Sequence, residues 1–119
     1  MIYTILHNPR CSKSRKTLEL LESHGIQPVI RRYLDDPPSA SEVLESAAKL
    51  GVPVSGLLRR GESSFRDASD LPALDDGPAL AAWLSRNPIV IERPIVLRED
   101  GRACIGRPPE NVLELIDDE

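Results

Sequence analysis

Cysteine and histidine are scarce in this chain of 119 residues, which contains two of each. Cys11 and Cys104 lie far apart, and neither belongs to a Cys-x-x-Cys pair. This usage excludes a zinc site of cysteine and histidine ligands and a disulfide-rich scaffold. We therefore expect no metal ion, no bound cofactor and a reducing, cytoplasmic environment in which both thiols stay free.

Long apolar runs and an excess of positive charge are also lacking. No stretch approaches the ~18 apolar residues that cross a bilayer, and the first apolar run is interrupted by residues 7–9, unlike a signal peptide. Fifteen basic and nineteen acidic residues give a net charge of −4, whereas nucleic-acid binding needs a basic face. We expect neither a membrane nor a nucleic acid as a partner.

The apolar residues that are present suffice for one hydrophobic core. Leu, Ile, Val and Phe supply 33 of the 119 residues, well above the ~20 % below which chains tend to stay disordered. The length matches one typical domain. The sequence therefore predicts a single domain over residues 1–119, and we expect a monomer.

The first third of the chain predicts a strand, a helix and a second strand. Residues 2–6 are apolar and β-branched, residues 12–24 carry an apolar face and end before Gly25, and residues 28–34 form another extended run. Such a βαβ unit places its two strands parallel, joined by a right-handed crossover.

The middle of the chain predicts a helical insertion over about residues 37–88. Residues 39–42 have the pattern of a capping box and open a helix that ends at Gly51, and a short helical piece follows near residues 55–60. A polar loop with one helical turn spans residues 62–76, and Pro78 then suits the first position of another helix. The predicted inward face of that helix comprises Leu80, Ala81, Trp83 and Leu84.

The last third predicts a hairpin and a final helix. Propensity favours a strand at residues 89–91, although prolines flank it, and residues 95–97 and 102–105 form better strands around the turn signal Asp100-Gly101. Pro108 and Pro109 open a helix whose predicted buried face is Val112, Leu113 and Ile116. The order of elements predicts an α/β fold with a mixed four-stranded sheet flanked by helices, the insertion lying between its βαβ and ββα halves.

Cys11 is the candidate nucleophile. It follows a strand and stands at the first turn of a helix, where unpaired backbone N–H groups and the helix dipole favour an anion. Residues 1–18 contain no acid, while Arg10, Lys13, Arg15 and Lys16 surround Cys11. Such an environment lowers the pKa of a thiol and makes it reactive.

The spacing around Cys11 excludes two familiar thiol sites. A dithiol oxidoreductase needs a resolving cysteine three residues on, and that position is Ser14, so an adduct on Cys11 must be resolved by another molecule. A phosphatase loop needs arginine six residues after the cysteine, and that position is Thr17. Cys104 lies in the last predicted strand and is expected to be a small core residue.

Several segments, in order along the chain, carry a family resemblance. They are residues 5–17 (ILHNPRCSKSRKT), 33–38 (YLDDPP), 57–59 (LLR), 87–88 (NP), 92–96 (ERPIV) and 105–110 (IGRPPE). Together these segments resemble the glutaredoxin-linked arsenate reductases of the ArsC type and their relatives of the YfgD group. The resemblance implies a thioredoxin-like fold.

The resemblance also implies a mechanism and roles for individual residues. The cysteine that matches Cys11 attacks arsenate to give a thioarsenate ester, glutathione is the co-substrate that forms a mixed disulfide, and glutaredoxin removes the glutathione as arsenite leaves. His7 and Ser14 occupy the positions that support the thiolate, and Pro94 occupies that of a cis-proline. The oxyanion-binding arginines match Arg59, Arg93 and Arg107, although the neighbouring Arg60 could be presented in place of the first.

Two other functions stay open at this point. A related thiol-disulfide oxidoreductase would act on another oxyanion or on a glutathionylated substrate. A Spx-like regulator would share the fold but bind RNA polymerase, and such regulators typically carry a Cys-x-x-Cys switch that Ser14 interrupts here.

Overall fold

The computed structural model describes residues 1–117. Its chain divides into two compact units. The first consists of residues 1–33 together with the described residues from Arg93 onward, and the second of Leu34–Glu92. The second unit contains the predicted insertion of residues 37–88, and the assignment of all 119 residues to one domain stays a prediction.

The first unit is built on a mixed sheet whose four strands, within residues 1–117, follow the order β2-β1-β3-β4. These strands are β1 (Tyr3–Leu6), β2 (Val29–Arg31), β3 (Ile95–Arg98) and β4 (Ala103–Ile105). Strand β1 is parallel to β2 and antiparallel to β3, which in turn is antiparallel to β4. The predicted mixed sheet and its βαβ start are confirmed.

Two helices cover this sheet, α1 (Ser12–Ser23) and the last helix of the chain, α5 (Asn111–Asp117). The apolar side chains of the sheet and of both helices pack in one hydrophobic cluster. The buried members of the cluster are Tyr3, Ile5, Leu21, Val96, Val112 and Leu115.

The second unit contains α2 (Ala40–Leu50), the 3₁₀ turn Val54–Leu57, α3 (Ser63–Arg66), α4 (Gly77–Arg86) and the 3₁₀ turn Pro88–Val90. The predicted capping box is present, because the Glu42 N–H donates to the Ser39 hydroxyl and the Ser39 N–H donates to the Glu42 carboxylate. Gly51 ends α2 in the left-handed conformation that favours glycine, at φ 71°. All four residues predicted to face inward from α4 are buried.

Three local predictions are wrong in detail. Residues 89–91 do not form a strand, because the chain turns in a 3₁₀ helix and Ile91 makes an isolated bridge to Leu58. Strand β2 is shorter than the predicted residues 28–34. In α5 the buried partner of Val112 is Leu115, three residues on and therefore on the same helix face, whereas Leu113 is half-buried.

None of the helices within residues 1–117 is both long and apolar enough to span a membrane.

Candidate active site

Cys11 stands where the loop after β1 enters α1, as the residue that precedes the first helical turn. The loop is held by Asn8, whose backbone carbonyl accepts a hydrogen bond from the Cys11 N–H at 3.0 Å. The Asn8 side-chain oxygen also accepts from the Arg10 N–H at 3.0 Å. Asn8 is 6 % exposed, so these bonds are sheltered from water and fix the course of the loop.

Hydrogen-bond donors surround the Cys11 sulfur. Burial alone would raise the pKa of the thiol, but the backbone N–H groups of Ser14 and Lys13 and the Arg93 side chain donate to it and outweigh that effect. The positive charge of Arg93 acts in the same direction. The pKa of Cys11 is therefore below its ordinary value, and its half-buried sulfur is open to a reagent.

His7 and Ser14 form one buried pair beneath this loop. The His7 Nδ1 and the Ser14 Oγ lie 2.7 Å apart, and the Asn8 N–H donates to the same hydroxyl at 3.1 Å. Burial, with the charges of Arg32 and Arg15, lowers the pKa of His7, so its imidazole is neutral at pH 7. The pair connects α1 to the loop, and its support of the thiolate stays a prediction.

Arg93 and Arg107 meet in the first unit. The Arg107 Nη1 donates to the Arg93 carbonyl at 3.3 Å, and the Asn111 side chain donates to the Arg107 carbonyl at 3.2 Å. The peptide bond between Arg93 and Pro94 is cis. Two of the three predicted arginines are thus joined by a hydrogen bond, and the Arg93 side chain donates to the Cys11 sulfur.

Arg59 belongs to the second unit, where two carboxylates bind it. Its Nη1 donates to the Glu92 carboxylate at 3.0 Å, and its Nε lies 3.4 Å from the Glu62 carboxylate. Its side chain is 21 % exposed, and the neighbouring Arg60 is exposed. These contacts hold the Arg59 guanidinium in one place, and its role in oxyanion binding stays a prediction.

Tyr33 was not identified from the sequence as a residue of the site, although the folded chain buries it there, at 1 % exposure. Its hydroxyl lies near the Arg93 and Asn8 side chains and the Cys11 sulfur, and all three affect its pKa. A signal was available, because Tyr33 closely follows β2, and parallel strands such as β1 and β2 deliver the residues after them to the same edge of a sheet. Asn8 and Tyr33 both lie in segments that carry the family resemblance, but the three hydrogen bonds of Asn8 depend on the folded loop.

Cys104 lies in β4, half-buried against the core cluster. Burial, with the charge of Glu114, raises its pKa to about 11. This matches the predicted core role better than a reactive one. Within the described residues, 1–117, no group of three His, Cys, Asp or Glu side chains is placed to hold a metal ion.

This chain is similar to known proteins over nearly its whole length. A sequence profile of the ArsC family matches residues 6–115. An arsenate reductase of Haemophilus influenzae is 44 % identical over 98 % of this chain and all of its own length, and the Escherichia coli protein YfgD is 40 % identical over 94 % of both chains. A solved arsenate reductase structure from Vibrio cholerae, also 44 % identical, superimposes with a TM-score of 0.84 over 96 % of this chain and 97 % of that one. The fold of this chain is thioredoxin-like, as predicted, and the chain belongs to the ArsC family.

Proposed function

We propose that this protein is an oxidoreductase that reduces arsenate to arsenite with Cys11 as its nucleophile. The observation that carries the proposal is the donor-rich environment of the Cys11 sulfur in a chain that matches named arsenate reductases over nearly its full length. A lowered thiol pKa keeps a thiolate available at neutral pH. Arg93 beside it offsets the repulsion between that thiolate and an anionic substrate.

The first step joins sulfur to arsenic. The Cys11 thiolate attacks arsenate, an S–As bond forms, and one As–O bond breaks as its oxygen takes up protons and leaves as water. Arsenic stays pentavalent in this exchange. Arg93 and Arg107 supply guanidinium groups that stabilise the charge on the remaining oxygens.

The second and third steps supply the electrons. The thiol of glutathione attacks the Cys11 sulfur, the S–As electron pair passes to arsenic, and trivalent arsenite leaves. The two sulfurs, oxidised together, form a Cys11–glutathione disulfide. Because Ser14 offers no thiol, we propose that glutaredoxin takes over the glutathione and returns Cys11 to its thiolate. These steps need a reducing compartment, so the cytoplasm stays the predicted location.

One coupled assay tests the proposal. The protein is mixed with glutathione, glutaredoxin, glutathione reductase and NADPH, and oxidation of NADPH is followed on addition of arsenate. We expect arsenate-dependent oxidation, its abolition in Cys11→Ser, and a rate close to wild type in the matched control Cys104→Ser.

Three results would contradict the proposal or part of it. Absence of arsenate-dependent oxidation removes arsenate as the substrate. Activity that persists in Cys11→Ser removes the nucleophile. Activity with a dithiol such as reduced thioredoxin in place of glutathione and glutaredoxin would keep the reductase and replace its electron donors.

A further inference from the structure

The Tyr33 hydroxyl is a buried polar group close to the Arg93 and Asn8 side chains. The side chain is 1 % exposed, and among residues 1–117 no atom meets hydrogen-bond geometry with its oxygen. Buried hydroxyls in proteins are nearly always paired, because an unpaired one costs desolvation free energy without compensation. An unpaired hydroxyl next to a reactive site indicates that a bound substrate supplies the missing hydrogen-bond partner.

The neighbours of this hydroxyl offer donors rather than acceptors. The Arg93 side chain, which lies close to it, has N–H donors and no acceptor. Asn8 also lies close, and it lowers the Tyr33 pKa, as a group that donates to the phenol oxygen does. The Tyr33 oxygen can thus receive a bond from either neighbour, while its proton still needs an acceptor.

An anion at Cys11 is the acceptor that fits. The Cys11 sulfur is within electrostatic reach of Tyr33, but it already receives hydrogen bonds from two backbone N–H groups and from Arg93. A tetrahedral oxyanion placed against Cys11 and Arg93 has several oxygens, and those that the Arg93 guanidinium does not bind still need donors. We propose that Tyr33 is a catalytic residue whose hydroxyl donates a hydrogen bond to an oxygen of the tetrahedral oxyanion held between Cys11 and Arg93.

This assignment rests on the proposed function and adds a neutral donor to its charged arginines. Burial raises the pKa of Tyr33, so the hydroxyl keeps its proton throughout the neutral range. A neutral O–H group donates a directional hydrogen bond to the oxyanion without adding positive charge to the site. Tyr33 therefore helps to fix which oxygen faces the protein, and its effect is confined to reactions in which an oxyanion is bound.

The test compares two buried tyrosines. Tyr33→Phe removes the hydroxyl and keeps the ring, and Tyr3→Phe does the same at the core position beside Arg98, away from Cys11. Losing one hydrogen bond to a charged group should lower kcat/KM for arsenate roughly 10- to 100-fold in Tyr33→Phe. Tyr3→Phe should keep the wild-type value.

Two further measurements separate this role from thiol activation and from folding. The rate at which iodoacetamide alkylates Cys11, and the pH midpoint of that rate, should be the same in Tyr33→Phe as in wild type, because the reagent carries no oxyanion. The melting temperature should be unchanged or higher, since the substitution removes an unpaired buried hydroxyl. A higher Cys11 midpoint, which would make the thiolate the acceptor, or a lower melting temperature would overturn the assignment.

An anion-protection experiment keeps the inference testable without turnover. Arsenate or sulfate is titrated against alkylation of Cys11, and the half-protecting concentration should rise about tenfold in Tyr33→Phe and stay constant in Tyr3→Phe. Protection without turnover in wild type would refute the proposed function alone. Equal protection in wild type and Tyr33→Phe, or no protection of wild type by either anion, would overturn the role of Tyr33.

Discussion

At the scale of single residues, the two cysteines show how much surroundings decide thiol chemistry. Cys11 has backbone donors and Arg93 around its sulfur, and its pKa is lowered despite partial burial. Cys104 is held among core side chains near Glu114, and its pKa is raised to about 11, mainly by burial. The side chains are identical, so the difference comes from hydrogen bonds, charge and access to water.

The two thiols should therefore label at different pH values. Iodoacetamide reacts with the thiolate, so labelling of Cys11 should reach half its maximal rate below pH 9.0, its ordinary pKa. A group with a pKa of about 11 is roughly one part in ten thousand ionised at pH 7, and Cys104 should stay unlabelled there. Mass spectrometry of peptides after brief labelling from pH 5 to 10 measures both. Faster labelling of Cys104 at pH 7 would contradict the assignment of the nucleophile.

Two neighbouring arginines should be separable by their effects on the thiol and on the substrate. Arg93 donates to Cys11, so Arg93→Ala should raise the Cys11 pKa, slow iodoacetamide alkylation at pH 6.5 and also reduce arsenate turnover. Arg107 contacts the Arg93 backbone, so Arg107→Ala should reduce turnover about 10²- to 10³-fold while alkylation changes little. Both rates are measured on each variant. Equal losses in both assays for Arg107→Ala would show that it acts on the thiolate instead.

At the scale of elements, a glycine lets α1 and the loop before β3 approach each other. Gly106 follows β4, and its N–H donates to the Pro94 carbonyl at 2.9 Å. A Cβ at this position would clash with the Thr17 hydroxyl of α1 and lie 2.8 Å from the Pro94 Cγ. Both neighbours are buried, so neither can move aside without shifting backbone.

Gly106→Ala should therefore destabilise the protein by about 1–3 kcal/mol through overpacking. Gly61→Ala is the matched control, because a Cβ there meets nothing within 4 Å, and its effect should stay within about 0.5 kcal/mol. Urea denaturation followed by circular dichroism measures both free energies of unfolding. Equal stability of the two variants would mean that the contact around Gly106 relaxes without cost.

At the scale of the whole molecule, stability is linked to pH through a few ionisable groups. Arg98, whose side chain is 3 % exposed, donates to the Asp100 carboxylate and, at 2.6 Å, to the Leu115 carbonyl, so it ties the β3–β4 turn to α5. The hydrogen bond from Arg98 is the main reason that the pKa of Asp100 is lowered to about 2. In the unfolded chain this carboxyl titrates near 3.8.

The sign of the pH effect follows from these two values. As pH falls below 3.8, the unfolded chain takes up the proton before the folded protein does, so stability falls between about pH 4 and 2. Asp100→Asn should be less stable than wild type at pH 7 and should lose part of that acid-induced decline. Melting temperatures measured from pH 7 to 2 test this, and parallel curves for the two proteins would refute the linkage.

His7 contributes in the same direction at higher pH. Its folded-state pKa lies below 6.5, mainly because of burial, so the unfolded chain binds the proton first as pH falls through 6.5. Stability from this group is present above 6.5 and declines below it. Both effects make the protein more stable at neutral than at acidic pH.

Short-range sequence signals were sufficient to predict most of the helices, strands and turns. The capping box at Ser39, the glycine at position 51 and the turn at Asp100-Gly101 each act over a few residues, and each prediction is confirmed. Residues 89–91 have the composition of a strand, yet Pro88–Val90 form a 3₁₀ turn between flanking prolines, and Ile91 makes an isolated bridge to Leu58. Propensity describes a residue by itself, whereas pairing depends on which segment lies beside it.

By itself the sequence determined the fold class, the position of Cys11 at a helix start and the segments that place the chain in the ArsC family, because these depend on local order along the chain. Only the tertiary structure decided that Asn8 orders the loop, that His7 is neutral and that the Tyr33 hydroxyl is buried beside Arg93. Tyr33 and Arg93 are 60 residues apart in the sequence, and the desolvation and charge that shape their chemistry arise only when the folded sheet brings them together.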